Sequence, residues 1–240
     1  MTTTTSADLL RRYGRVAGFM YLFVMASFLA GFGILSRFFV RGDLAATAKN
    51  IAASEWLYRL GLSGLLIASL TTILLAGAFY VLLEPVNRQL ALFALLWRVG
   101  ESVLGGVAVF FLFMSVIIHT GAASAFGPGQ QQALARLISH GYVVGFTISL
   151  VYFSAGSLLF FYLLLRSAFI PRILSAFGVL ASAHVTIVGF ANLIVPSRAA
   201  GLSFGWEWAP MFVAEIAAGL WLLVAGPNLA RWEGRQNSGG

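Results

Sequence analysis

Six apolar stretches of membrane-crossing length, at residues 16–35, 56–83, 90–119, 141–165, 173–195 and 209–226, limit the folds open to this chain. A helix needs about 20 mainly apolar residues to cross roughly 30 Å of hydrocarbon. Inside hydrocarbon every backbone N–H and C=O must be satisfied within the protein, which helices do by themselves. The rest of the composition agrees: charged residues make up 10% of the chain, against about 25% in a soluble domain. Lipid is the solvent in which such an exterior carries no penalty. The expected fold is therefore an all-α integral membrane protein, a bundle of six transmembrane helices occupying residues 16–228. Residues 1–15 and 229–240 would form cytoplasmic segments, and 236–240 a disordered tail.

The breaks between stretches support the boundaries. Glu84-Pro85-Val86-Asn87-Arg88 is a short proline-broken turn, and Arg166 to Arg172, with Pro171, is another. Gly127-Pro128-Gly129 and the three glutamines after it read as a polar loop, and Pro196-Ser197-Arg198 closes the fifth stretch. Short turns between long helices make antiparallel neighbours. The last stretch is the shortest, flanked by Trp206 and Trp208 at one end and Trp232 at the other, as in an interfacial aromatic belt. Arg11, Arg12 and Arg15 precede the first stretch as in a signal peptide, but the apolar run continues to spanning length, so it reads as a membrane helix.

Orientation follows the basic residues. Arg11, Arg12, Arg15, Arg88, Arg166, Arg172, Arg231 and Arg235 fall on one side, eight in all, against Arg37, Arg41, Lys49, Arg136 and Arg198 on the other. This bias puts both termini in the cytoplasm. The net charge of +7 is spread over loops that meet lipid headgroups, with no basic aromatic face for nucleic acid. There is no cysteine, which removes disulfides, thiolate metal sites and cysteine nucleophiles together. No phosphate loop, zinc-protease pattern or nucleophile turn is present, so the chain leans away from an enzyme. No internal repeat relates the two halves, which argues against a transporter with inverted symmetry.

Polar groups within a bilayer are costly and each needs a reason. Arg98 and Glu101 stand three residues apart on one helix face, with Glu101 near mid-membrane. Glu215 lies inside the sixth stretch, His184 near the middle of the fifth and Asn192 two turns beyond it. Arg98, Glu101, His184 and Glu215 are candidates for a buried cluster that binds an ion, a proton or a small polar ligand. Glu55 and Arg59, four residues apart, would guard its outer entrance. The plainer reading is that Arg98 and Glu101 neutralise one another and glue helices together. Glu215 has no partner in its own helix and must find one across the bundle or be protonated. His119 and His140 raise a haem b alternative, but both sit at loop edges, where solvated histidines are the simpler reading; no cofactor is expected. Gly14 with Gly18, and Gly141 with Gly145, permit close helix contact.

Three groups of residues carry a family resemblance. They are Gly42-Asp43, Ala46 to Ile51, Ser54-Glu55 and Arg59; then Leu82-Leu83, Pro85 to Arg88, Arg98 and Glu101; then Arg166-Ser167 and Pro171-Arg172. In this order the chain resembles DUF4386, a bacterial family of multi-pass membrane proteins known only as a domain of unknown function. The resemblance implies the bacterial cytoplasmic (inner) membrane and no particular activity. Asp43, Asn50, Glu55, Arg59, Asn87, Arg98 and Glu101 belong to those motifs, which favours a site over packing alone. Two functions stand against each other. One binds or passes a small polar solute or proton at the cluster; the other is an accessory or assembly subunit packed against a membrane protein partner or another copy of itself.

Overall fold

A computed structural model describes residues 6–40, 42–119, 126–195, 208–230 and 232. Within them the chain forms seven helices: α1 (Ser6–Leu35), α2 (Leu44–Ala53), α3 (Glu55–Leu83), α4 (Arg88–His119), α5 (Pro128–Ser167), α6 (Arg172–Ile194) and α7 (Ala209–Val224). Five of these, α1, α3, α4, α5 and α6, are long and apolar enough to cross a membrane. The sixth expected crossing, α7, is apolar but has 16 residues, a length of about 24 Å. Arg41, Arg198, Trp206, Arg231, Arg235 and the tail at 236–240, used in reading flanks and orientation, lie outside the described residues.

Three boundaries differ from the sequence reading. Helix α1 starts at Ser6, so the segment bearing Arg11, Arg12 and Arg15 continues the apolar helix. Helix α5 starts at Pro128, so Gln130, Gln131 and Gln132 form its first turn instead of a loop. Gly127 caps it in an extended conformation, its N–H donating to Gln130 Oε1 at 3.0 Å, and Pro128 supplies a preset φ where no N–H is needed. Apolar content marks only the part of a helix that lipid or core must cover; polar ends can extend it.

The third difference is α2, a ten-residue helix in the first long connection. Gly42, at φ +78°, makes the turn before it, a conformation that disfavours a side chain. Asp43 then caps α2 by accepting from Ala46 N–H at 2.9 Å. Thr47 Oγ1 accepts from Val40 N–H, and Asn50 Nδ2 donates to the Phe38 carbonyl. Asn87 likewise caps α4, accepting from Leu90 N–H at 2.9 Å. Asp43, Asn50 and Asn87 are thus engaged in caps and turns, which accounts for their place in the motifs without a site.

Helices α1, α3, α4, α5, α6 and α7 pack as a closed ring in that order, with α7 returning to α1, and α2 contacts α3 and α4. The ring is tight where small residues let backbones meet. Gly18 lies against the backbone of Gly219 and Leu222, and Gly31 against Gly61 and Gly64. Gly141 accepts the Phe111 ring, and Gly145 touches Ala108. The glycine pairs noted in the sequence are used inside the bundle. Apolar side chains such as Phe19, Leu74, Phe93, Phe110, Leu180 and Ile187 point outward and are exposed, as a lipid-facing surface requires.

The ring has two unlike ends. At the proximal end, where α1 begins and the α3–α4 and α5–α6 turns lie, the interior is filled. Phe79 stacks on Phe160 at 4.7 Å, Tyr21 meets Phe79 edge-on at 5.0 Å, and Leu82, Leu83, Leu163, Leu164 and Phe169 are fully buried. Toward the distal end, where α1, α4 and α6 finish, Leu35, Tyr58, Leu62, Leu112 and Val116 form a second buried cluster between α1, α3 and α4, and beside it the interior holds a cavity.

Candidate functional site

A cavity of about 540 Å³ occupies the distal half of the ring. Its walls come from α1, α3, α4, α5 and α7, and none from α6. Rings dominate them: Phe28 and Phe32 of α1, Tyr142, Phe146 and Phe153 of α5, Phe212 of α7, and Trp208 just before it. Phe28 stacks on Phe146 at 6.3 Å and lies 6.5 Å from Phe212. Leu29, Phe32 and Val143 line the cavity yet are exposed, so it opens to the protein surface.

Its floor is charged. Arg98 of α4 is 1% exposed, the largest fully buried side chain among the described residues. Its Nε lies 3.0 Å from Glu101 Oε2, an ion pair set by the three-residue helical spacing. Its Nη1 lies 3.8 Å from Glu215 Oε1 and donates to Ser157 Oγ at 2.9 Å. Ser157 Oγ in turn donates to Glu215 Oε1 at 3.3 Å, bridging the two charges. The guanidinium stands 4.8 Å over the Phe153 ring, a cation–π contact. Gly156 makes room for this arrangement: a Cβ there would meet the Arg98 Cγ and Cδ atoms.

The cluster is not fully satisfied. Neither Arg98 Nε nor Glu101 Oε2, although paired by charge, has a partner in hydrogen-bond geometry. The buried Tyr21 hydroxyl near Glu215 is also without a well-formed bond. Glu101 keeps 17% exposure and lines the cavity. Around it, Ser102 donates to the Ser69 carbonyl at 2.5 Å and Ser149 to the Glu101 carbonyl at 3.0 Å. These bonds tie α3 and α5 to α4 at the level of the floor.

Arg98, Glu101 and Glu215 thus come together as the sequence reading expected, from helices more than a hundred residues apart in the chain. His184 does not join them. It shares the outward face of α6 with Leu180 and Ile187, each 69% exposed, and is itself exposed; spacings of four and three put all of these on one side of the helix. Glu55 and Arg59 do pair, Nε to Oε1 at 2.6 Å, with Arg59 over the Phe113 ring at 4.9 Å. Both remain exposed and neither lines the cavity, so they form a surface pair on α3 apart from the floor. His140 is exposed, with Nδ1 2.7 Å from the Arg136 carbonyl, and the His119 side chain lies outside the described residues. No group of three metal-ligating side chains occurs among the described residues.

The sequence reading missed Ser157, Phe153, Gly156 and the aromatic walls. A signal existed on α5: Gly156 and Ser157 follow Ser149 by seven and eight residues, two helical turns on, which puts small and polar groups on one side of an otherwise apolar helix.

Residues 16–226 match a family described as a domain of unknown function (DUF4386). No curated protein and no solved structure matches the chain.

Proposed function

Because the chain belongs to the DUF4386 family, which is defined without an activity, we propose a function from its own cavity: an intramembrane binding site for a small molecule with a polar group. The single observation that carries this is the cavity itself. It lies in the distal half and reaches down to Glu101 and Arg98, and its volume lies within the range of about 300–1,000 Å³ usual for ligand pockets. A cluster serving only as glue would be closed over and would pair all its own atoms. Here Glu101 faces open space, and two atoms of the ion pair lack hydrogen bonds.

In this reading the protein crosses the bacterial cytoplasmic membrane six times. Helix α7 closes the ring between α1 and α6, and a ring member at that depth crosses with its neighbours. The distal end then faces outward and both termini face the cytoplasm. Since the chain has no cysteine, single-cysteine labelling reads this directly. Gly129→Cys should react with a membrane-impermeant thiol reagent on intact cells. Asn87→Cys should react only after permeabilisation; the reverse pattern inverts the topology.

The other reading is an accessory or assembly subunit. Its signature would be an outward face of small residues, whereas the close glycine contacts described above lie within the bundle. Extraction of native membranes in mild detergent, with mass spectrometry of co-purifying proteins and small molecules, separates the two. A small molecule held by the wild type and lost from a folded Glu101→Gln variant supports the binding site. A protein partner retained by both forms, with no such molecule, replaces it with the subunit reading.

A further inference from the structure

Resting on the binding-site reading, we infer that the cavity selects amphiphilic organic cations. The charged side chains lining it are Arg98, Glu101 and Glu215, one guanidinium against two carboxyl groups. Arg98 is committed to Ser157, to the Phe153 ring and to both carboxylates. No lysine, histidine or second arginine among the described residues lines the cavity to receive an anion. An excess carboxyl group at membrane depth is neutralised by a proton or by a counter-cation, and Glu101, which keeps 17% exposure, is the carboxyl group that opens on the cavity.

The walls decide what kind of cation. A bare metal ion or a small hydrated cation needs a cage of oxygen ligands, and the walls above Glu101 are mostly rings and aliphatic chains. Aromatic faces attract organic cations whose charge is spread over an apolar body, more strongly once water is excluded. A ligand with its positive centre over Glu101 and its apolar body among Phe28, Phe146 and Phe212 satisfies both parts of the site.

The test uses two ions of the same shape and opposite charge, tetraphenylphosphonium and tetraphenylborate. Each is titrated against the full chain in lipid nanodiscs, with empty nanodiscs subtracting partition into lipid. Saturable binding of the cation, at least about tenfold tighter than that of the anion, is expected in the wild type. Glu101→Gln should weaken the cation about tenfold and leave the anion bound at least as tightly, while Glu55→Gln on the exposed pair should change neither. The opposite-charge comparison on the wild type stands even if Glu101→Gln fails to fold. Equal or tighter binding of the anion, or binding of neither ion, overturns the charge selectivity. Val24→Trp, which places bulk in the cavity wall, separates that failure from failure of the site. If both ions bind equally and Val24→Trp abolishes both, the cavity stands and its selectivity falls. If Val24→Trp leaves binding untouched, the probes sit elsewhere and both readings fall.

Discussion

The two ends of the ring are built from the same apolar alphabet and put to opposite use. The proximal half is closed by the Phe79–Phe160 stack and a dense set of fully buried leucines. The distal half turns comparable aromatic residues inward and leaves about 540 Å³ between them. Phe160 has atoms on every side; Phe146 has a cavity on one. The charged floor lies at the junction, where packing gives way to space. A membrane bundle could fill its whole length. Leaving a cavity of this size forgoes dispersion contacts, so the cavity is where function is to be sought.

Substitutions test the contrast. The largest effect is expected at the junction. Arg98→Ala leaves two buried carboxyl groups without their counter-charge and should cost about 3–5 kcal/mol, read as a marked fall in thermal unfolding temperature in detergent. A variant as stable as the wild type would mean that the floor is not a structural ion cluster. Next, Phe160→Ala should cost about 3 kcal/mol or more, while Phe146→Ala, already facing a void, should cost well under half of that. Equal losses would erase the distinction between the two halves. Gly178→Ala should follow at about 1–3 kcal/mol, because its new Cβ would meet the Phe161 ring at the α5–α6 contact. Smallest is Arg59→Gln, which removes an exposed pair at helical spacing and should shift stability by no more than about 0.5 kcal/mol. A loss as large as that at Arg98 would show that the exposed pair does more than the buried one.

The two ion pairs show how far spacing alone can be read. Arg98 with Glu101, and Glu55 with Arg59, each obey helical spacing, and both pairs form. Spacing places partners on one helix face, but it does not say whether that face meets lipid, water or another helix. His184 shows the same limit: its depth in the fifth apolar stretch was legible, and its direction was not. Asp43, Asn50 and Asn87 show another. A polar residue in a motif can be kept by a cap as well as by a ligand, and only hydrogen-bond partners distinguish them.

Local physics was enough to read the class of the fold, the order and approximate limits of its apolar helices, and the three charged residues that had to be buried somewhere. Hydrocarbon demands apolar length, prolines break helices, and an ion inside a bilayer needs a partner. Packing between helices settled the rest. It closes the ring by setting α7 against α1 and α6, brings Glu215 to Arg98 through Ser157, turns His184 outward and leaves a cavity in the distal half. The rotation of each helix about its axis is set by its neighbours. These helices are apolar nearly all round, so no strong polar stripe marks an inward face, and that rotation is not written in any one segment.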